Sequence, residues 1–198
     1  EEKKQVISAV VDETNGKAKV VAGTGASGTD QALEMTKYAK DAGADGARIV
    51  TSYYLKPTDR GIYQHYDTIA SQVDLPIILY NIPQVTGLSL PWQMVEDLAQ
   101  IPNIVGVKDS SGQLSFILAV LEKVRDRINV RCGHDEEVVG ALAAGCTGAI
   151  LASANFMPDI WTQVYNNVQK GKLQPARDLQ YKVQKIARII AKSGPVGT

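Results

Sequence analysis

Lys108 is the residue whose position best suits nucleophilic chemistry. It directly follows the apolar run Ile104–Val107, so its amine starts in a poorly solvated setting that favours the neutral, nucleophilic form. A neutral lysine amine attacks the carbonyl carbon of a ketone or aldehyde and forms an imine. Taken alone, Lys108 also fits a bland interpretation, in which its stem packs and its ammonium group reaches water.

Tyr80 ends a second apolar run, Pro76–Tyr80, and carries a group that can move protons. Imine formation requires proton transfer to and from a carbinolamine oxygen, and a phenol can act there as general acid and base. Tyr53 and Tyr54 follow another apolar run and are able to extend such a relay. The alternatives are a packed Tyr80 with its hydroxyl in water and a Tyr53–Tyr54 pair at a protein interface.

A glycine pattern between a predicted strand and a predicted helix resembles a dinucleotide-binding fingerprint. Gly23–Gly28 reads G-x-G-x-x-G. That fingerprint also requires an acidic residue at the end of the next strand, which instead ends with Ile49–Ser52. The pattern therefore disfavours nucleotide binding, and Thr29 or Asp30 is predicted to cap the following helix.

The histidines and cysteines do not have the spacing of a metal site. His65 and His134 each lack a second ligand three or four residues away, and Cys132 lies far in sequence from Cys146. These spacings predict no metal and two reduced, partly buried thiols.

Short β-branched runs alternate along the chain with stretches that have the apolar spacing of helices. The strand candidates are Val20–Gly25, Gly46–Ser52, Pro76–Asn81, Ile104–Ser110, Asn129–Asp135 and Gly148–Ala154. The helix candidates between them are Thr29–Ala42, Asp59–Gln72, Pro91–Gln100, Gln113–Arg125 and Glu136–Ala144. Further helices are predicted at Glu1 to about Glu13, Asp159–Gln169 and Gln174–Lys192. Continuously apolar strands indicate a parallel sheet that helices cover on both faces.

Two α/β architectures accommodate this order of elements, an open doubly wound sheet and a (β/α)8 barrel. The chain has 198 residues and opens with a helix, whereas complete barrels usually need about 250 residues and open with a strand. The regular spacing of the βα units nevertheless favours the barrel. We therefore expect a (β/α)8 TIM barrel of which the first βα units are absent.

The composition of the chain predicts which kinds of partner it binds and where in the cell it is located. The chain has 21 basic and 21 acidic residues, so it has no general electrostatic attraction to nucleic acid or an anionic membrane. It contains no apolar run of about 18 residues, and its first residues lack the layout of a secretory signal. A cytoplasmic protein without nucleic-acid or membrane partners is expected.

Four groups of motifs recur in the order and spacing of a known superfamily. They are Val21–Gly25, Tyr53–Thr58 with Gly61–Tyr66, Leu79–Pro83 with Thr86-Gly87, and Gly106–Gly112. Together they resemble the dihydrodipicolinate synthase/N-acetylneuraminate lyase superfamily. The resemblance implies (β/α)8 barrels that act as class I aldolases and lyases without a cofactor. It also implies a pyruvate-like 2-keto acid and an aldehyde as substrates, and a homo-oligomer, either dimer or tetramer.

The resemblance implies roles for particular residues. Lys108 matches the Schiff-base lysine and Tyr80 the proton-transferring tyrosine. Tyr54 matches a relay tyrosine that, in the synthase, comes from the adjacent subunit of a tight dimer. Gly133 and Ile150 match positions that line the pocket around the keto acid.

One departure from the superfamily pattern concerns completeness. The superfamily's Gly-Thr-Thr or Gly-Ser-Thr loop, which holds the keto-acid carboxylate, belongs to a strand before the first helix of this chain. The last residues, Ser193–Thr198, resemble part of a carboxy-terminal helical region. We therefore expect a fragment, with a partial barrel of six strands at 1–172 and the start of the helical region at 173–198. An incomplete active site is expected unless the rest is supplied.

A second departure concerns substrate choice. Val85 stands where the synthases usually place an arginine that assists recognition of a substrate carboxylate. Loss of such a charge-assisted hydrogen bond costs about 1.5–3 kcal/mol. This favours a lyase or aldolase acting on a sugar acid or related 2-keto acid. The alternatives are the dihydrodipicolinate synthase reaction of lysine biosynthesis and a non-catalytic barrel that binds a keto acid.

Overall fold

The computed structural model describes residues 1–193. The strands are β1 (Val21–Gly23), β2 (Gly46–Val50), β3 (Ile77–Asn81), β4 (Ile104–Asp109), β5 (Asn129–Cys132) and β6 (Gly148–Ala149). The helices are α1 (Glu2–Thr14), α2 (Thr29–Asp41), α3 (Asp59–Gln72), α4 (Pro83–Thr86), α5 (Trp92–Leu98), α6 (Leu114–Val124), α7 (Val138–Ala144), α8 (Pro158–Gln169) and α9 (Leu173–Ser193). Two 3₁₀ turns occur at Asp135–Glu137 and Ala152–Asn155.

The strands occur in the sheet in their chain order, β1 to β6. β1 pairs in parallel with β2, β2 with β3, and β5 with β6. Parallel neighbours need a crossover connection, and helices supply it here. The predicted α/β fold with a parallel sheet is therefore confirmed.

Several strands end earlier than their apolar runs predicted. The prediction for the last strand extended to Ala154, but β6 ends at Ala149 and Ala152–Asn155 forms a 3₁₀ turn. The predicted cap of α2 was also wrong, because Gly28 is the N-cap residue. The Thr29 hydroxyl instead lies 3.0 Å from Nδ1 of His65, so a tertiary contact replaces the local cap.

The chain forms two compact units. The first comprises Glu1–Val107 with Asp126–Ile128. Its amino-terminal core joins α1, β1 and α2 through Ile7, Ala22 and Ala39. Small alanine side chains allow the helices to approach β1 closely, and apolar side chains that include Val11 and Tyr38 pack around them.

The second unit comprises Lys108–Arg125 with the described residues from Asn129 onward. The buried face of α6 consists of side chains spaced three or four residues apart, namely Ile117, Val120, Leu121 and Val124. This spacing places them on one helix face, which packs against β5. α7 in turn contacts α6, α8 and α9.

Within residues 1–193, none of the helices is long and apolar enough to cross a membrane. The same residues contain no group of three or more His, Cys, Asp or Glu side chains arranged to hold a metal ion.

Candidate active site

Lys108 lies near the carboxyl end of β4, and its side chain is buried, with 7% of the residue exposed. Its stem passes directly over Gly133, which follows β5. An ideal Cβ on Gly133 would lie only 2.5 Å from Cε of Lys108. Glycine at this position therefore provides the space that the lysine side chain occupies.

The backbone of Gly133 is held by the two residues that directly follow Lys108. Its N–H donates to the Asp109 carbonyl at 2.6 Å, and the Ser110 hydroxyl donates to the Gly133 carbonyl at 3.0 Å. A Cβ on Gly133 would also lie 2.1 Å from the Ser110 oxygen. The structure thus brings Lys108 and Gly133 together, while their chemical roles stay predictions.

Asp135 adds a carboxyl group to the surroundings of Lys108. Burial raises the pKa of Asp135, while a hydrogen bond from Ser153 and the positive charges of His134 and Lys108 oppose that rise. Ser153 is itself buried and accepts a hydrogen bond from Nε1 of Trp161 at 2.7 Å. Asp135 was predicted only as the end of a strand, because nothing local in the sequence connects it with Lys108.

Ile150 directly follows β6 and is partly buried. Its N–H donates to the Cys132 carbonyl at 2.8 Å, so Ile150 is held beside the end of β5, next to Gly133. Cys132 and Cys146 are free and fully buried, and burial raises the pKa of the Cys132 thiol to about 12. Both thiols are more completely buried than predicted, and their reduced state stays a prediction.

Tyr80 belongs to the first unit, where it lies near the end of β3. It is partly buried and lines a cavity of about 230 Å³ that also includes Val85. The guanidinium carbon of Arg48 lies 4.9 Å from the centre of the Tyr80 ring. Because Lys108 belongs to the other unit, its cooperation with Tyr80 stays a prediction.

Tyr54 does not line the cavity of Tyr80. It is 92% exposed and lines another cavity, of about 570 Å³, together with Tyr53 and Thr29. Its φ of 81° lies in the left-handed region, where a bulky side chain costs about 1–3 kcal/mol. Such a cost is typical of positions under a functional constraint. The role of Tyr54 as a relay from an adjacent subunit stays a prediction.

Packing explains why position 25, within Gly23–Gly28, is a glycine. A Cβ on Gly25 would lie 2.6 Å from Cγ1 of Val50 and 2.9 Å from its backbone nitrogen. Close approach to the next strand therefore explains this glycine without a nucleotide.

Arg48 is a residue of this region that the sequence analysis missed. It lies inside β2, where the sequence Gly-Ala-Arg-Ile-Val is otherwise apolar. A charged residue in the middle of a buried strand is rare and was the available signal.

Comparison with known proteins gives one family. A model of the dihydrodipicolinate synthetase family matches residues 1–197. The 4-hydroxy-tetrahydrodipicolinate synthase of Geotalea daltonii is 42% identical over 197 residues, covering 99% of this chain and 68% of that protein. The synthase of Methanospirillum hungatei is 38% identical over 197 residues, covering 98% of this chain and 67% of that protein. The chain thus spans about two thirds of the length of these curated relatives.

Solved structures similar to this chain come from the same family. A chloride-inhibited dihydrodipicolinate synthase from Acinetobacter baumannii, complexed with pyruvate, superposes with a TM-score of 0.92 at 40% identity. The dihydrodipicolinate synthase of Aquifex aeolicus gives a TM-score of 0.92 at 34% identity. Each comparison covers 96% of this chain and 65% of the other. The chain belongs to the dihydrodipicolinate synthetase family.

Proposed function

We propose that the protein is a class I, Schiff-base-forming enzyme that condenses pyruvate with an aldehyde, as a 4-hydroxy-tetrahydrodipicolinate synthase. The observation that carries this proposal is the buried Lys108, whose stem lies over Gly133 at the end of an apolar strand. The relatives that bear the synthase name cover 99% and 98% of this chain.

The product of such a synthase, 4-hydroxy-tetrahydrodipicolinate, defines the second substrate. A tetrahydrodipicolinate is a nitrogen heterocycle with two carboxylates and seven carbons, of which pyruvate supplies three carbons and one carboxylate. The remaining four carbons must bring the amine, the other carboxylate and the aldehyde. This describes aspartate 4-semialdehyde, an amino acid that ends in an aldehyde.

The proposed steps balance without a cofactor. Neutral Lys108 attacks the ketone carbon of pyruvate, water leaves, and the resulting iminium withdraws electrons so that the methyl group loses a proton. The enamine carbon then bonds to the aldehyde carbon, and the aldehyde oxygen becomes the hydroxyl of the product. Finally, the substrate amine attacks the imine carbon, which closes the ring and releases Lys108.

Protons in these steps are assigned to side chains. Tyr80 serves as the acid and base for the carbinolamine oxygen, and Tyr54 extends the relay from an adjacent subunit. The large exposure of Tyr54 supports a partner subunit that covers it. Gly133 and Ile150 border the keto acid. We accordingly propose a homo-oligomer, and a (β/α)8 barrel to which this chain contributes six strands.

The comparisons favour the synthase over the sugar-acid lyase that Val85 suggested. The relatives named above are synthases, so valine at position 85 does not direct the chain toward sugar acids. Recognition of a second carboxylate then requires a different cation.

Borohydride trapping tests the proposal. Protein mixed with pyruvate and sodium borohydride should acquire one pyruvate-derived group on Lys108, located by peptide mass spectrometry. Lys108→Arg should abolish the label, whereas Lys172→Arg, at an exposed position, should keep it. Absence of a label on Lys108, or an equal label in Lys108→Arg, would contradict the proposal. Thermal stabilisation by pyruvate without labelling would instead indicate a non-catalytic keto-acid-binding barrel.

A further inference from the structure

Arg48 carries a charge inside the first unit for which the proposed steps give no use. It lies in the middle of β2, is partly buried, and lines the same cavity of about 230 Å³ as Tyr80 and Val85. We infer that Arg48 binds the carboxylate of a small organic acid in this cavity, and so supplies the cation that Val85 lacks. This inference rests on the proposed function and deepens it.

The Arg48 guanidinium lacks a protein counter-charge within the described residues. Within residues 1–193, no carboxylate lies within 4.0 Å of the Arg48 guanidinium. The side chains that line the cavity with it are uncharged, and they include Val50, Ile82 and Val85. A partly buried cation is costly without a partner. A ligand carboxylate would supply one.

The Arg48 guanidinium is held over the ring of Tyr80. Arg48 lies over the face of Tyr80, with 4.9 Å between its guanidinium carbon and the ring centre. Within the described residues the guanidinium makes this cation–π contact and no hydrogen bond or ion pair, so its N–H donors remain available. Those donors have the fork geometry that binds a carboxylate in a bidentate manner. The cation is therefore positioned beside the phenol that the proposal uses as acid and base.

The cavity beside Arg48 has room for a small ligand. Gly23 borders the donor edge, where an ideal Cβ would lie 3.9 Å from Nη2 of Arg48, an ordinary van der Waals distance. The volume of about 230 Å³ is below the ~300–1,000 Å³ typical of pockets for drug-sized ligands. It suits a small acid such as pyruvate or a four-carbon amino aldehyde.

Substitution at position 48 tests the inference. Arg48→Met should raise the KM of the substrate that Arg48 binds by about 10- to 100-fold, the loss of one charge-assisted contact. Arg48→Lys, which keeps the charge without the fork, should give a smaller increase. Pyruvate and aspartate 4-semialdehyde are titrated separately, and the substrate whose KM rises identifies the bound carboxylate. If the KM of aspartate 4-semialdehyde rises, a matching aldehyde without a carboxylate should react equally with the parent protein and Arg48→Met.

Two further variants control the experiment. Arg127→Met removes an equal charge from an exposed site of the same unit and should leave both KM values unchanged. The double variant Arg48→Met, Val85→Arg moves the cation to the position seen in other synthases and should recover much of the affinity. Circular dichroism of each variant separates misfolding from lost binding, and Arg48→Lys is the second variant if Arg48→Met does not fold.

The outcomes separate this inference from the proposed function. KM values within twofold of the parent for both substrates, with the Lys108 label intact, would overturn the role of Arg48 and leave the synthase proposal standing. If the parent protein forms no label, the synthase proposal fails. Calorimetric titrations with pyruvate and with aspartate 4-semialdehyde then decide the role of Arg48. Tenfold weaker binding of either acid to Arg48→Met supports that role, and equal or no binding of both acids overturns it.

Discussion

At the scale of single residues, the glycine beside Lys108 is defined by the volume of another side chain. Gly133 is not among the glycines with positive φ, so its backbone conformation does not itself require glycine. What excludes a side chain is the occupied space, since Cε of Lys108 and the Ser110 oxygen lie where a Cβ would be. The Lys108 side chain therefore occupies the space that Gly133 leaves, so a side chain at position 133 would displace it.

Gly133→Ala should disturb the lysine directly. The overlap forces a shift of Lys108 or of the loop that carries Ser110, so borohydride trapping should slow at least about tenfold and the free energy of unfolding should fall by about 1–3 kcal/mol. Gly28→Ser is the control, because nothing lies within 4 Å of a Cβ at Gly28 and serine is a good N-cap. Unchanged trapping in Gly133→Ala would contradict the close packing.

At the scale of elements, α3 shows how a helix is fixed at both ends. The Thr58 hydroxyl accepts a hydrogen bond from the Gly61 N–H at 3.2 Å and caps its first turn. At its other end, Nδ2 of Asn103 donates to the carbonyls of Ala70 and Val73, each at 3.0 Å. The carbonyls at a helix end have no partner within the helix, so Asn103 satisfies groups that would otherwise be unpaired.

Asn103→Ala should weaken this helix end. Two partly buried carbonyls lose their donor, and the free energy of unfolding should fall by about 1–3 kcal/mol in urea titrations. Asn166→Ala makes the same change at an exposed position of α8 and should alter stability by less than about 0.5 kcal/mol. Equal effects of the two substitutions would show that the Asn103 bonds contribute nothing.

At the scale of the whole molecule, stability should depend on a buried histidine. His65 on α3 is 3% exposed, its Nδ1 contacts the Thr29 hydroxyl, and its Nε2 is buried without a hydrogen-bond partner. Burial lowers the pKa of His65 from 6.5 to about 4. Between these two values the unfolded chain binds more protons than the folded one, so stability is lost as the pH falls from about 6.5 toward 4.

His65→Phe should remove that dependence. Between pH 7.5 and pH 5, the parent protein should lose about 2 kcal/mol more unfolding free energy than His65→Phe, since only the parent must exclude a proton from a buried ring. His134→Phe keeps His65 and should retain the parent's pH dependence. Chemical denaturation at several pH values measures the difference. Parallel curves for the parent and His65→Phe would refute the assignment.

Periodicity and local order determined the α/β class, the parallel strands and the positions of the main helices. The run before Lys108 located the lysine at a strand end, because strands buried on both faces are continuously apolar and end where polar residues begin. The same information overextended β6, since Leu151 is buried although it lies outside the strand. An apolar residue is consistent with a strand or with a buried turn, and composition does not distinguish them.

Only the tertiary structure decided which side chains share a space. The contact between Lys108 and Gly133, the influence of Lys108 on Asp135 and the approach of Arg48 to the Tyr80 ring join residues that lie far apart in the sequence. Their separations depend on strand pairing and on the direction of each side chain, which a sequence pattern does not encode. Sequence thus determined where reactive groups enter the fold, and packing determined the volume and charge around them.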